Sequence, residues 1–139
     1  MMVLVDTPVW SLALRRRTAD LNQSEQNLVN ALRELIREGR AQIAGPIRQE
    51  LLSGIREADR FRKLRDYLRA FDDPLLETAD YEEAAHMNNQ CRARGISGSA
   101  IDFIICALAH RRHWQILTID HDFQNYRAAL PINLLNIKD

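Results

Sequence analysis

One stretch of the sequence, residues 99–122, constrains the fold more than any other. Residues 100–109 (AIDFIICALA) are long enough for a buried helix, and Asp102 is the only charged residue among them. Residues 115–119 (QILTI) then have the pattern of a short buried strand, which stops at Asp120. The stretch therefore predicts a helix followed by a strand, with one acid inside the helix and another at the end of the strand.

Asp102 needs a physical explanation, because a carboxylate in apolar surroundings must be paired, protonated or bound to a metal ion. The sequence also permits a simpler role, in which Ser99 and Asp102 form a capping box at the start of the helix. Both interpretations are open when this segment is considered by itself.

The N-terminus repeats the pattern of a strand followed by an acid. Residues 2–5 (MVLV) form a short apolar run that stops at Asp6. In open parallel sheets, ligands lie beyond the carboxyl ends of the strands. Because two predicted strands end in Asp6 and Asp120, we expect both carboxylates at one crevice.

Further segments alternate between helix and strand patterns along the chain. The predicted order is β-αα-β-αα-β-αα-β-α-β, which implies a parallel sheet covered by helices on both faces. With 139 residues and 46% hydrophobic composition, the chain fits a single domain, residues 1–139, with a sizeable core. The predicted strands cover residues 2–5, 41–44, 75–76, 115–119 and 132–135. The predicted helix caps are Thr7, Ser24, Thr78 and Ser99.

The sequence lacks the patterns of secreted, membrane and zinc-binding proteins. Its N-terminal apolar run has neither a basic lead nor a small-residue cleavage site, and no stretch approaches the length of a membrane span. Cys91 and Cys106 belong to no CxxC pattern, so we expect them to be reduced and packed. The four histidines have no ligand-like spacing. We therefore expect a soluble, cytoplasmic protein without a disulfide framework or zinc site.

The charge balance says little about a polyanionic partner, since 19 basic and 19 acidic residues cancel. However, 17 of the basic residues are arginine, whose guanidinium suits bidentate contact with phosphate. The balance also becomes positive if the acids at the crevice are neutralised by bound cations. A GC-rich genome also favours arginine over lysine, so the composition supports nucleic-acid binding only weakly.

Glu50 is a further acid that ordinary helix chemistry does not explain. It lies past the first turn of the helix opened by Gly45 and Pro46, so neither capping nor the helix dipole accounts for it. Apolar neighbours indicate that it borders the core, although an ordinary surface glutamate is the alternative. Several carboxylates in one crevice repel each other unless a cation intervenes. Oxygen ligands without Cys or His favour Mg²⁺ or Mn²⁺, which support phosphoryl chemistry.

Four segments of the sequence together resemble a known family. Residues 3–10 (VLVDTPVW), 48–54 (RQELLSG), 99–109 (SAIDFIICALA) and 117–123 (LTIDHDF) resemble the PIN domain, and within it the VapC-type toxins of bacterial and archaeal toxin–antitoxin pairs. The resemblance covers essentially the whole chain, and its specificity comes from the four segments taken together. It implies a PIN-like α/β/α sandwich with a short, mostly parallel central sheet flanked by helices.

The same resemblance implies a Mg²⁺- or Mn²⁺-dependent endoribonuclease that cleaves structured RNA, such as tRNA or rRNA loops, with a metal-activated water. Asp6 and Asp102 would be the principal metal ligands. Glu50 would be a ligand or would activate the water, and Asp120 would be a ligand directly or through water. Asp122 matches a second acid of the final motif, either as an auxiliary to the site or as an acid that stabilises a helix N-terminus.

Other polar residues near these acids could support the site. Thr7, Ser99 and Thr118 are close to the acids in sequence, although capping and turn roles explain them equally well. The arginines considered for contact with the RNA backbone are Arg15, Arg16, Arg17, Arg92, Arg94, Arg111 and Arg112.

The resemblance also implies a protein partner, a VapB-type antitoxin whose C-terminal segment wraps the toxin and blocks the acidic site. We expect its groove among the first helices, where Trp10, Leu14, Leu28 and Leu32 are apolar. Core packing explains these four residues equally well. Homodimers are common in the family, so a homodimer is a further expectation.

Two other classes of function are compatible with the same acids. A metal-dependent DNA nuclease or phosphatase would share the carboxylate cluster, but an aspartyl phosphatase needs a second Asp two residues after Asp6, where this chain has Pro8. A non-catalytic PIN-like binding scaffold is the second class. The four acids are intact, which favours the ribonuclease over the scaffold.

Overall fold

A sheet of four parallel strands forms the centre of the protein. This computed structural model describes residues 1–15 and 17–137, apart from the side chain of Arg15. The strands are β1 (Val3–Val5), β2 (Ala41–Gln42), β3 (Gln115–Leu117) and β4 (Asn133–Leu134). They lie in the order β2-β1-β3-β4, and every neighbouring pair is parallel. The parallel sheet predicted from the sequence is therefore confirmed.

Seven α-helices, counted within the described ranges, connect the strands. They are α1 (Thr7–Arg15), α2 (Gln23–Arg37), α3 (Gly45–Leu52), α4 (Ala58–Leu68), α5 (Thr78–Ala93), α6 (Ala100–Arg112) and α7 (Asp122–Ala129). Each connection between consecutive strands contains at least one helix, as parallel pairing requires. None of these helices has the length and apolar content needed to cross a membrane.

The helices cover both faces of the sheet. Val3, Leu4 and Val5 are all fully buried, although successive residues of a strand point to opposite faces. Ile116 and Leu117 of β3 are buried in the same way. These burials confirm the predicted α/β/α sandwich. Because both faces of the sheet are covered by apolar side chains, the strand sequences are continuous hydrophobic runs and do not alternate between apolar and polar residues.

The predicted strand at residues 75–76 is wrong. This segment has no regular structure, and the Leu75 side chain is 78% exposed. The Leu75 carbonyl accepts a hydrogen bond from Arg112 Nη2 at 2.7 Å instead of pairing with a strand. Two adjacent leucines carry no periodicity that could separate a strand from a loop. The other four strands form, with shorter bounds than the sequence predicted.

Three of the predicted helix caps are also wrong. Asn22 rather than Ser24 caps α2, since Asn22 Oδ1 accepts from the backbone N–H of Glu25 at 2.8 Å. Glu77 takes the place predicted for Thr78 at the start of α5. Thr7 lies inside α1 as its first residue. In each case the helix begins one or two residues earlier than a cap at the predicted position requires. Sequence patterns do not locate helix ends to within one or two residues.

A buried ion cluster joins α5 to the end of α6. Asp80 is 1% exposed, and its Oδ1 lies 2.5 Å from Arg111 Nη1 and 2.9 Å from Arg112 Nη1. Its Oδ2 accepts from the backbone N–H of Glu77 at 2.8 Å. Burial raises the pKa of Asp80, but Arg112, the Glu77 N–H and Arg111 together lower it to about 2. Asp80 is therefore ionised and paired within the fold.

The apolar residues expected at a partner groove belong mainly to the core. Trp10 and Leu32 are fully buried and Leu28 is nearly so, and the Trp10 indole Nε1 donates to the Val5 carbonyl at 3.0 Å. Leu14 alone of the four is half-buried. The groove expectation is corrected for the other three, because helical periodicity identifies an apolar face without showing what covers it. Buried free thiols at both cysteines match the sequence prediction.

Candidate acidic site

The site lies at the carboxyl ends of the two central strands. Val5 of β1 is paired with Leu117 of β3, so the residues that follow them emerge side by side. The backbone N–H of Asp6 donates to the Leu117 carbonyl at 2.9 Å, which extends the pairing by one residue. Asp6 and Thr118 therefore meet at the carboxyl end of the sheet, two residues before Asp120, the acid that the sequence predicted to share this crevice with Asp6.

Asp6 is the most buried acid of the site, with 5% of its surface exposed. Its Oδ1 accepts from the backbone N–H of Thr7 and its Oδ2 accepts from Thr118 Oγ1, each at 2.8 Å. Burial raises the pKa of Asp6 to about 6, and the charges of Asp102 and Asp120 add to the rise against the two hydrogen bonds. A carboxylate held this way is costly to ionise without a nearby cation.

Thr118 links the two strand ends through a single hydroxyl. Its Oγ1 donates to Asp6 Oδ2 and accepts from the backbone N–H of Asp120 at 3.0 Å. One side chain thus contacts both the carboxylate after β1 and the backbone after β3, which is the position that the supporting role predicted for Thr118 requires.

Asp102 enters the site from the first turn of α6. Ser99 Oγ accepts from the backbone N–H of Asp102 at 3.1 Å, so Ser99 is the predicted cap. The half-buried Asp102 carboxylate accepts from the Tyr126 hydroxyl at 2.6 Å. Burial raises the pKa of Asp102, and the charges of Asp120 and Asp122 act in the same direction. Of the capping box considered from the sequence, the Ser99 half is therefore present, while the Asp102 carboxylate faces Tyr126 and the acidic cluster.

Three acids come close enough to share one ion. Asp102, Asp120 and Asp122 can each contribute an oxygen that lies within 4.8 Å of the other two. The turn into α7 keeps the last two together, because the Asp122 backbone N–H donates to Asp120 Oδ1 at 2.9 Å. The structure therefore brings Asp122 into the cluster, where the sequence had supported only an auxiliary or helix-terminal role.

Glu50 faces this cluster from α3. Its side chain is exposed, yet desolvation and the negative charge of Asp102 raise its pKa. The Thr7 hydroxyl is near enough to the Glu50 carboxylate to offset part of this rise, without reaching good hydrogen-bond geometry to it. Thr7 Oγ1 is nevertheless buried, with no partner at hydrogen-bond distance in the described part of the chain. Glu50 is thus a solvent-accessible carboxylate at the rim of the acidic site.

The chemistry of these side chains fits a divalent cation. Burial is the main cause of the raised pKa values at Asp6, Glu50 and Asp102, and repulsion between the acids adds to it; a cation between them would offset both. The donors are carboxylate oxygens, and the orphaned Thr7 hydroxyl is a further oxygen nearby. Such an oxygen-only set suits Mg²⁺ or Mn²⁺ better than zinc.

Asp6→Asn is expected to stabilise the metal-free protein by about 1–2 kcal/mol near pH 7.5. Folding raises the pKa of Asp6 from its ordinary 3.8 to about 6, so ionisation of Asp6 destabilises the folded protein. The stability that protonated Asp6 contributes is therefore complete below pH 3.8 and is lost as the pH rises through about 6. Asparagine imitates the protonated form at every pH. Urea unfolding in EDTA at pH 5 and pH 7.5 measures the effect, which should be larger at pH 7.5. A variant less stable than wild type at both values would contradict it.

The arginines proposed for RNA contact lie in different surroundings. Arg111 and Arg112 are already paired with Asp80. Arg94 donates to the Ala128 carbonyl at 2.9 Å. Arg17 and Arg92 are exposed, whereas Arg16 and the side chain of Arg15 lie outside the described residues. Arg94, Arg111 and Arg112 thus have partners within the protein, and contact with RNA stays a prediction for Arg15, Arg16, Arg17 and Arg92.

Tyr126 is the site residue that sequence reasoning missed. It is fully buried and hydrogen-bonded to Asp102, although the two residues are 24 positions apart. One signal could have found it, because Tyr126 follows Asp122 by four residues and positions i and i+4 share a helix face. A tyrosine one turn after a candidate ligand is a candidate for contact with the same cluster.

Comparison with known proteins gives a consistent picture. Residues 3–129 match the PIN domain family. A chain of the FitAcB crystal structure from Neisseria gonorrhoeae has a TM-score of 0.74 at 21% identity, with 97% of each chain covered. VapBC2 from Rickettsia felis, bound to a promoter DNA fragment, has a TM-score of 0.73 at 15% identity over 98% of each chain. A toxin-antitoxin complex from Klebsiella pneumoniae has a TM-score of 0.70 at 17% identity, covering 99% of this chain and 98% of that one. No curated protein sequence gives a significant match.

Proposed function

Because this chain belongs to the PIN-domain family, we propose that it is a metal-dependent endoribonuclease and the toxin of a toxin–antitoxin pair. The observation that carries the proposal is that acids from the end of β1, from α6 and from the β3–α7 turn converge at the carboxyl ends of the two central strands. Asp102, Asp120 and Asp122 can share an ion, and Asp6 lies close enough for the first two to raise its pKa. An acidic cluster of this kind is what Mg²⁺- or Mn²⁺-assisted phosphodiester hydrolysis needs.

The residues divide the work by burial and position. Asp102, Asp120 and Asp122 would hold the ion, with Asp6 beneath them kept in orientation by Thr7 and Thr118. When bound, the cation lowers the pKa of a coordinated water and offsets charge on the phosphate. Glu50 is exposed and has a raised pKa, so its carboxylate is placed to accept a proton from the attacking water. The products are a phosphate monoester and a hydroxyl end, with no covalent enzyme intermediate.

A cavity beside Asp120 offers space for one unstacked base next to the cleaved bond. Its volume is about 140 Å³, and it combines polar side chains with an apolar wall. The amides of Gln124 and Asn136 carry the donors and acceptors that pair with base edges. Single-stranded or loop RNA can present an unstacked base to such a cavity. The lining includes Ile119, Asp120, His121, Gln124, Leu134 and Asn136.

The proposed partner is a VapB-type antitoxin, supported by the toxin–antitoxin assemblies among the structural neighbours. The surface that suits it is a cavity of about 290 Å³ between α1 and α4. Arg60 and Lys63 beside the apolar lining favour an amphipathic segment that carries acids. Leu14 is the member of the expected groove that lines this cavity. The lining consists of Leu14, Ile55, Arg60, Lys63, Leu64 and Tyr67.

The test is cleavage of a total RNA pool and a matched single-stranded DNA pool by the purified protein. Each pool is incubated with Mg²⁺, with Mn²⁺ and with EDTA, and fragment ends are sequenced. We expect discrete RNA fragments that require a metal and are absent from the DNA pool. Equal cleavage in EDTA would contradict the metal-dependent mechanism, and cleavage confined to DNA would favour a DNA nuclease. A folded protein that binds Mn²⁺ but cleaves neither pool would favour the scaffold.

A further inference from the structure

We propose that Tyr126 is a positioning residue that orients the Asp102 carboxylate for metal binding, and that Gly98 is needed to leave room for the Tyr126 ring. This inference rests on the proposed metal-dependent function and identifies two residues that act on the site from beneath it. Neither residue is an acid or lies in the four segments that resemble the PIN domain. Tyr126 has a neutral aromatic side chain, and Gly98 has no side chain.

The Tyr126 ring is held in one place by packing. It projects from α7 and is fully buried, and its ring centroid lies 5.1 Å from that of Phe103 on α6 and 5.1 Å from that of Phe123 on α7. Edge and tilted contacts at this separation are favourable for aromatic rings. The hydroxyl therefore approaches Asp102 Oδ2 at 2.6 Å from a fixed direction.

Helix register places this support and a proposed ligand on one face of α7. Asp122 and Tyr126 are four residues apart, so they project from the same side of the helix toward α6. Asp102 is thus approached by a carboxylate from the first turn of α7 and by a phenol from the second. Because Asp122 and Tyr126 share this face of α7, the position of that helix determines where both lie relative to Asp102.

Gly98 is fitted closely against the Tyr126 ring. A Cβ atom at position 98 would lie 2.7 Å from Tyr126 Cζ and 2.8 Å from Cε1, and closer still to the hydroxyl oxygen. The requirement is for space, since Gly98 is not among the residues with positive φ. Any side chain at position 98 must displace either the ring or the segment that leads into the Ser99 cap. Both movements would disturb Asp102.

The hydrogen bond holds the Asp102 carboxylate in one orientation. A hydroxyl that donates to one carboxylate oxygen restricts rotation of the group, which lowers the entropy lost when the carboxylate binds a cation. Tyr126 is fully buried and cannot reach a polynucleotide, so its action on the reaction passes through Asp102. Removing such an orienting partner typically weakens metal affinity about 10–100-fold.

The first test is Tyr126→Phe, measured by Mn²⁺ titration calorimetry at pH 7.5 together with urea unfolding in EDTA. We expect Mn²⁺ affinity to fall about 10–100-fold. The matched control is Tyr81→Phe, because Tyr81 is 52% exposed on α5. If Tyr126→Phe lowers stability in EDTA but leaves Mn²⁺ affinity unchanged, the role is structural and the proposal is overturned.

The second test is Gly98→Ala, compared with Gly45→Ala, where an added Cβ meets no atom within 4 Å. We expect Gly98→Ala alone to weaken Mn²⁺ binding. In the Tyr126→Phe background its further effect should be smaller, because the hydroxyl that it displaces is already gone. Independent, multiplying effects would overturn the coupling. Wild-type protein that binds no Mn²⁺ would instead count against the proposed function, so the two failures are distinguishable.

Discussion

Asp102→Asn is expected to reduce metal-dependent RNA cleavage by about 100-fold or more, since loss of metal-assisted charge stabilisation costs several kcal/mol. The amide lacks the charge that attracts a cation, and its N–H₂ group cannot act as a ligand. Asparagine can still accept from Tyr126 and from the surrounding water, so the fold should persist. In EDTA the variant should be at least as stable as wild type, because burial and the neighbouring acids raise the pKa of Asp102 and so disfavour its ionised form.

Initial rates of RNA cleavage in Mn²⁺, with Mn²⁺ affinity measured in parallel, provide the readout. Asp72→Asn is the matched control, because it removes the same charge from an exposed position away from the acids. That control should cleave at the wild-type rate. An Asp102→Asn protein that cleaves the same fragments at a similar rate would remove Asp102 from the mechanism and leave the acidic cluster without a demonstrated role.

Asp80→Ala is expected to have the largest effect on stability, a loss of about 2–3 kcal/mol in the free energy of unfolding. The substitution leaves Arg111 and Arg112 without their acidic partner and removes the acceptor of the Glu77 N–H. The arginine side chains are 32% and 20% exposed, so water partly compensates and the loss falls below that of a fully buried pair.

Urea denaturation at pH 7 measures this loss, with Asp66→Ala as the control. Asp66 lies in exposed ion pairs with Arg65 and Arg69, and its removal should change stability by less than about 0.5 kcal/mol. The effect of Asp80 also has a defined pH window. Its folded-state pKa is about 2 and its ordinary value 3.8, so its contribution is present above pH 4 and lost as pH falls toward 2. A difference of less than 0.5 kcal/mol at pH 7 would contradict the expectation.

The acids at the strand ends could be located from the sequence because their positions follow from local patterns. Short apolar runs identify the strands, and parallel strands present their carboxyl ends at one edge. Asp6 and Asp120 therefore had to approach one another once β1 and β3 were neighbours. Asp102 was identifiable because a single charge within an apolar helix is costly unless it has a function or a partner.

Sequence patterns were less informative where a choice depends on the neighbouring chain. The leucines at 75–76 are apolar but exposed or half-buried, and only the contact between Leu75 and Arg112 shows that the segment joins α6 rather than the sheet. Similarly, Trp10 and Leu32 belong to an apolar helix face that could serve a partner or the core. Burial decided between these roles in favour of the core.

The sequence by itself determined the parallel sheet, the acids at its edge and the oxygen-only chemistry of the site, since each depends on residue type and periodicity within a short segment. Only the tertiary structure decided that Asp122 joins the cluster and that Asp80 pairs with two arginines. It also decided that Tyr126 donates to Asp102 while its ring packs against Gly98. Tyr126 and Asp80 meet their partners across 24 to 32 positions of the chain. Such contacts depend on how whole helices pack, because neighbouring residues in one segment cannot specify which distant side chain will face them.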